Sequence, residues 1–347
     1  MNIIFETNNP DSPSFKFYSE SFSKINSSDL GATVSIKTFA GNSSYAGVDV
    51  ALFMGGSYNL SAVKQAKSEG ALCGIVEPRS MQNNCFSEAD IIITNSLEAN
   101  DFFAGKCKNS LLYYTYPEVP AATTIADKLD DDMLILGYHG NKIHLEAMFP
   151  RITRAIQNLH MDKPLELIAM YNFEKLGKSA LITSEKLGFP VRHVNYSREN
   201  YSEYIAHVDI GLVPQLIPVR DTAFLKYLLG TLTRKFNEKS DDYLHRFKET
   251  TNLGRHFVFA QYAIPVVSDM TPSACTFIKN GYDSYLASTT MGWTEALREL
   301  STSYIMRKTV GNRLREKWDK EYSFTHLNKN LLTNLRKLKD KNGECFE

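Results

Sequence analysis

Cysteine is scarce in this chain and does not cluster. Cys73, Cys85, Cys107, Cys275 and Cys345 stand at no metal-ligand spacing, and none lies beside a histidine in a zinc-like pattern. An odd, scattered set argues against a disulfide framework and reads as reduced thiols in a cytosolic protein. Net charge is missing too. Lys plus Arg and Asp plus Glu both total 39, which excludes the basic excess of a dedicated nucleic-acid binder but leaves room for a local basic cleft. The longest apolar stretch, His256 to Val267, contains Gln261 and Pro265 and is too short to span a bilayer. Met1 to Glu6 begins like a strand, without a basic segment followed by an apolar one, so no signal peptide is expected. P-loop, spaced Gly-x-Gly-x-x-Gly, zinc motif and Gly-x-Ser-x-Gly elbow are all absent. The acidic run Asp130-Asp131-Asp132 reads as linker rather than a metal motif, so no metal or other cofactor is expected.

What is present is an alternation of short apolar runs with helix-length amphipathic segments, the mark of parallel sheets flanked by helices. The length of 347 residues suits two domains. The first third reads as strands at Asn2 to Phe5, Thr33 to Thr38, Val48 to Phe53, Ala71 to Val76, Ile91 to Thr94 and Leu111 to Tyr114. A linker-like stretch, Pro117 to Asp132, is followed by a second alternation. Its strands are Met133 to Gly137, Leu165 to Met170, Val191 to Val194 and Ile210 to Val213, with a helix expected over Leu176 to Lys186. This is an α/β chain of two facing Rossmann-like domains, 1–125 and 126–310, with a basic helical tail at 311–347 packing back across them. Leu216 to Lys248, with Arg220, Lys226, Arg234, Lys235, Lys239 and Arg246, reads as extra helices over the cleft. Leu327, Leu331, Leu335 and Leu338 form one face of the tail, suited to packing on the protein; docking on an anionic membrane stays open.

Ligands of doubly wound sheets bind beyond the carboxyl ends of the strands. Four clusters fall there. Gly137-Tyr138-His139-Gly140-Asn141-Lys142 brackets a turn with two glycines, letting backbone approach a diphosphate at a helix start. His139 could donate to a phosphate or sugar oxygen and Lys142 could neutralise charge; a plain strand-to-helix turn is the alternative. Tyr201 to Pro214 carries Asp209, which reads as a structural turn residue. Lys248 to Arg255 offers Thr251 or Asn252 as helix cap, and Lys248 and Arg255 as a diphosphate clamp, against plain capping and solvation. Ser268, Thr271 and Ser273 lie in a polar strand-end loop suited to ribose or phosphate. In the first half, Gly55-Gly56-Ser57 and Glu77-Pro78-Arg79 could meet an acceptor. Glu77 is a candidate base or acceptor contact, or else a salt-bridge partner of Arg79.

Several stretches in order resemble the GT-B glycosyltransferases, in particular the retaining family 4 (group 1) enzymes of bacterial polysaccharide and lipopolysaccharide biosynthesis. These are Ile135 to Asn141, Tyr201 to Pro214, Phe257 to Ala287, Trp293 to Leu300 and, in the first half, Asp90 to Phe103. The family's paired glutamates, eight positions apart, are degenerate here. Val258 stands where the second belongs, Glu249 is one residue off the first, and Tyr138 replaces an arginine. The resemblance implies a cytoplasmic glycosyltransferase (hexosyltransferase-type), with contact at the inner membrane face left open. It would move a sugar, with retention, from a nucleotide-sugar donor to a saccharide or glycan acceptor, without metal or nucleic acid. The missing glutamate motivates a second reading, a non-catalytic nucleotide- or glycan-binding protein. A sugar-nucleotide epimerase is a third, for which no base is evident.

Overall fold

The computed structural model describes the chain except residues 40–43, 57, 80–85, 87, 120–132, 219–244, 249 and 344–347. The expected domain junction at 125/126, Ser57, Cys85, Cys345, Glu249 and the basic residues Arg220 to Lys239 lie outside the described residues. Two compact units result. One comprises Met1–Pro117, Asn252–Gly254 and Asp319–Glu347; the other comprises Glu118–Thr251 and Arg255–Trp318.

The first unit is a six-stranded parallel sheet in the order β2-β1-β3-β4-β5-β6. Its strands are β1 (Asn2–Thr7), β2 (Thr33–Thr38), β3 (Val50–Met54), β4 (Leu72–Val76), β5 (Ile91–Thr94) and β6 (Asn109–Leu112). The central β3 and β4 are buried along their whole length, as unbroken apolar runs require, whereas the edge strands β2 and β6 are largely exposed or alternate. Helix α1 (Pro13–Ser23) opens on proline and was not legible in the pattern. Its Phe15, Tyr18 and Phe22 stack around Phe5 at centroid distances of 4.9, 6.2 and 5.1 Å, contacts worth about 0.5–1.5 kcal/mol each beyond area burial. Helices α2 (Leu60–Ser68) and α3 (Leu97–Phe102) start on Asn59 and Ser96, whose side chains accept from Ser61 N and Ala99 N.

The second unit is also a six-stranded parallel sheet, in the order β14-β13-β10-β7-β8-β9. The chain enters at the centre with β7 (Leu134–His139) and moves outward through β8 (Leu165–Tyr171) and β9 (Val191–Asn195). It then crosses back to β10 (Ile210–Val213) and finishes with β13 (Val266–Asp269) and β14 (Tyr285–Ala287). The direction of winding reverses between β7 and β10, which is where such sheets hold ligands. Within Leu216 to Lys248, where extra helices were expected, the described ends form instead a two-residue antiparallel ladder, β11 (Ile217–Pro218) with β12 (His245–Arg246); residues 219–244 lie outside the described residues.

The helices of this unit depart from expectation in two places. After β7 the chain makes only α4 (Lys142–Glu146), then restarts as α5 (Arg151–Asp162), because Pro150 at the cap has no N–H to continue the ladder. The helix expected over Leu176 to Lys186 is two single turns, α6 (Phe173–Leu176) and α7 (Ser184–Leu187). Gly177 and Gly188 end them at φ +71° and +74°. The order continues with α8 (Tyr201–Ile205), α9 (Gly254–Gln261), α10 (Pro272–Phe277) and α11 (Thr290–Ser301).

The tail is two helices rather than one, α12 (Tyr304–Tyr322) and α13 (Phe324–Gly343). Residues 319 onward count with the first unit. There Leu327, Leu331, Leu332 and Leu335 are buried, so the apolar face of α13 is taken up by protein. Among the described residues no helix is long and apolar enough to cross a membrane.

Candidate functional site

The carboxyl edge of the second unit's sheet gathers the loops after β7, β10 and β13. Arg255, second residue of α9, is half-buried and donates from Nη1 to the carbonyl of Pro214 at 2.8 Å. Its guanidinium carbon lies 5.9 Å from the Tyr138 ring centroid, a cation–π placement that suits arginine better than lysine. The phenol of Tyr138 donates to the carbonyl of Asn141 at 2.6 Å, pinning the turn. Gly140, at φ +139°, makes the approach possible. A Cβ there would stand 3.2 Å from Arg255 Cδ and 3.1 Å from the Tyr138 hydroxyl.

Two imidazoles join this arginine. His139 ends β7, buried, with its ring 5.1 Å from that of Phe259. Burial first, then the nearby Arg255 charge, push its pKa down to about 3. His144 on α4 falls to about 2, through burial and then the charges of Arg255 and Lys248. Both rings are therefore neutral at physiological pH. His139 Nε2 and His144 Nδ1 are buried without a hydrogen-bond partner. Two charged and two neutral donors or acceptors thus share the switch point between β7 and β10, a composition fitted to an anion carrying hydroxylated groups.

The other residues expected at the site are placed as follows. Gly137 lies inside β7, where a Cβ would overlap the Val208 side chain, so its bareness serves packing. Asn141 caps α4, accepting from Ile143 N at 3.1 Å. Lys142 turns away from Arg255's loop, its Nζ donating to the carbonyls of Leu176 and Lys178 at 3.0 and 3.3 Å. Asn252 accepts from Gly254 N at 2.9 Å, and Thr251 Oγ1 accepts from Lys248 N at 3.1 Å. Ser268 is buried against His256 Nε2 at 2.8 Å. Thr271 donates to Gln215 Oε1 at 2.9 Å and caps α10, on which Ser273 is buried. Among the described residues no cluster of three or more His, Cys, Asp or Glu is placed to hold a metal ion.

In the first unit, Glu77 follows β4 at φ +51°, a left-handed conformation uncommon for this side chain. Its N–H donates to the carbonyl of Ile93 at 2.8 Å, and its own carbonyl fills the space a side chain on Gly55 would need. The carboxylate is buried, pairs with Arg79 and accepts from Ser14 Oγ at 3.2 Å. Burial raises its pKa against the lowering effect of Arg79. The hydroxyl of fully buried Tyr18, which feels the Glu77 charge, has no hydrogen-bond partner.

Sequence reasoning missed His144, Tyr18 and, above all, Arg151 and Asp269. The last two are 3% and 0% exposed and form an ion pair at 2.7 Å. Charged residues are seldom buried, and nothing local distinguishes Arg151 from a solvated first-turn arginine.

No family model matches the chain, and no curated protein matches its sequence. Solved structures do match in fold. A glycosyltransferase from Rickettsia africae superposes with a TM-score of 0.66 at 10% identity, covering 97% of this chain and 98% of that one. HepE of Anabaena in complex with UDP-glucose gives 0.62 at 10% identity, over 97% and 100%. The lipopolysaccharide outer core galactosyltransferase WaaB gives 0.57 at 13% identity, over 96% and 100%. The two Rossmann-like units and helical tail of this chain are therefore the GT-B fold of glycosyltransferases.

Proposed function

We propose that the chain is a glycosyltransferase that moves a sugar from a nucleoside-diphosphate sugar to a saccharide or glycan acceptor. The observation that carries this is Arg255, held on Pro214 near two unpartnered, neutral imidazole nitrogens at the sheet's switch point, with the charge of Lys248 also reaching His144. Breaking the bond between the sugar and the diphosphate builds negative charge on the leaving oxygen. Fixed cations and neutral donors in a half-buried site stabilise that charge without reorganising. Arg255 and Lys248 take that role here, and His139 and His144 hydrogen-bond phosphate or sugar oxygens. The diphosphate charge is met by side chains rather than by a metal. Glu77 in the first unit is the acceptor's carboxylate contact. Retention of configuration follows the family resemblance. HepE's complex with UDP-glucose supports a uridine donor as the first to try.

The test is a thermal-shift panel of UDP, GDP, ADP, dTDP and CMP, with and without magnesium, followed by turnover with the matching sugar nucleotide. A ligand that binds only the native state raises the melting temperature. A magnesium-independent shift with one nucleotide, lost in Arg255→Ala, is the expected result. Silence across the panel sinks the donor site. A second reading has one observation behind it: Val258, where the family's second glutamate belongs, is fully buried in α9. A non-catalytic protein on this fold would bind nucleotide yet neither transfer nor hydrolyse the donor.

A further inference from the structure

Asp269 ends β13 with its carboxylate fully buried and surrounded by donors. Arg151 reaches it with two prongs, Nη1 to Oδ1 at 2.7 Å and Nη2 to Oδ2 at 3.0 Å. Trp293 Nε1 donates to Oδ1 at 3.1 Å. The backbone N–H groups of Gln215 and Leu216 both donate to Oδ2 at 2.9 Å. A buried pair of this kind is a weak contributor to stability, because desolvation offsets most of the attraction, and an apolar pair of similar volume often does as well. What no apolar side chain could do is accept two successive N–H groups from the loop after β10.

That loop is the one on which Arg255 rests. The N–H of Gln215 and the carbonyl of Pro214 belong to one peptide unit, and that peptide is trans. In a planar trans peptide the N–H and C=O point in opposite directions. Fixing the N–H on Asp269 therefore aims the Pro214 carbonyl the other way, and it is this oxygen that receives Arg255 Nη1 at 2.8 Å. Thr271 ties the same residue from its side chain, donating to Gln215 Oε1 at 2.9 Å. The line runs unbroken from Arg151 through Asp269 and the 214–215 peptide to the guanidinium.

We propose that Asp269 is a positioning residue for Arg255, acting through the Pro214–Gln215 peptide, and that Arg151, by its two-pronged contact, fixes the orientation of that carboxylate. This rests on the reading of Arg255 as the diphosphate contact. It assigns the buried ion pair to setting the donor site, not to holding the fold.

Two double variants separate these roles. Arg151→Met with Asp269→Leu removes both the charges and the acceptor. Arg151→Met with Asp269→Asn removes the charges and keeps a carbonyl oxygen for the two N–H groups. The readout is the ratio of affinities for UDP and uridine by calorimetry, since the clamp acts on the phosphates alone. The Leu variant should lose about tenfold or more of the UDP preference, and the Asn variant should stay within about threefold of wild type. A Leu variant that keeps the wild-type ratio, or two variants that lose it equally, overturns the proposal. Should the Leu variant not fold, Gln215→Pro, which deletes the N–H, is compared with Gln215→Ala, which keeps it. A lower ratio in the proline variant supports the relay, and equal ratios overturn it. A wild type with no preference for UDP over uridine removes Arg255 as a phosphate contact and the proposal with it.

Discussion

The hydroxyl of Tyr113 donates to Oδ1 of Asn328 at 2.7 Å, joining residues 215 positions apart in the buried interior of the first unit. Asn328 Nδ2 in turn donates to the Ser21 carbonyl at 2.9 Å, and the Ser21 hydroxyl pairs with Tyr113. One amide on α13 thus satisfies groups on α1 and on the segment after β6. Replacing it strands buried polar atoms, each costing about 1–3 kcal/mol. Asn328→Ala should destabilise the first unit by about 2–3 kcal/mol, read as a lower urea midpoint at unchanged slope. A midpoint equal to wild type would show that α13 is not anchored by this contact.

Gly140 is a site of close approach, at φ +139° with Tyr138 and Arg255 packed over it. Gly140→Ala should weaken nucleotide binding about tenfold or more, because both the backbone angle and the arginine must shift. Gly105, at φ +74° with open space around it, supplies the control. An alanine there carries the same kind of backbone strain and should leave nucleotide affinity alone. Equal losses from the two substitutions would mean that strain, not the contact with Arg255, is being measured.

Stability should depend on pH through the two depressed histidines. Their folded values of about 3 and about 2 lie below the unfolded value of 6.5. Between those limits the unfolded chain binds more protons, so stability is full above about pH 6.5 and is lost as pH falls. For His139 the loss comes to about 2 kcal/mol by pH 5, and His144 acts in the same direction. Melting temperature measured from pH 7.5 to 5 should fall less steeply in His139→Asn than in wild type. Parallel slopes would place a proton on the folded imidazole after all.

Glu77 has the opposite sign. Its folded pKa is raised, so the carboxylate's contribution to stability diminishes as pH rises from the unfolded value through the folded one. At neutral pH the charge is a cost, carried on a backbone that is itself unfavourable for glutamate. Glu77→Gln should therefore keep or raise the melting temperature at pH 7 while lowering transfer to the acceptor, with nucleotide affinity retained. A variant with full turnover would reduce Glu77 to the salt-bridge partner of Arg79.

The parallel sheets were legible in the sequence because their central strands are buried on both faces. Val50 to Met54, Leu72 to Val76 and Ile91 to Ile93 carry no polar side chain at any position, and that pattern needs no tertiary information. The Gly140 turn and the candidates Arg255, His139 and Glu77 could be singled out for a related reason, since each ends or follows a strand or opens a helix. Helix lengths were not. Leu176 to Lys186 has helical periodicity, yet Gly177 and the Thr183 cap divide its neighbourhood into two turns. Nor did local pattern distinguish Lys142, bonded to the Leu176 and Lys178 carbonyls, from Lys248, whose charge reaches His144.

By itself the sequence determined two parallel-sheet units, the strand ends at which chemistry could sit, and a tail with one apolar face, all of them consequences of periodicity along the chain. The tertiary structure alone decided that Arg151 meets Asp269 across 118 residues, and Asn328 meets Tyr113 across 215. It also decided that one peptide plane carries Asp269 on one side and Arg255 on the other. The physical reason is burial: a charge or amide becomes informative only when water is removed and a specific partner must replace it, and that exchange is settled in space, not along the chain.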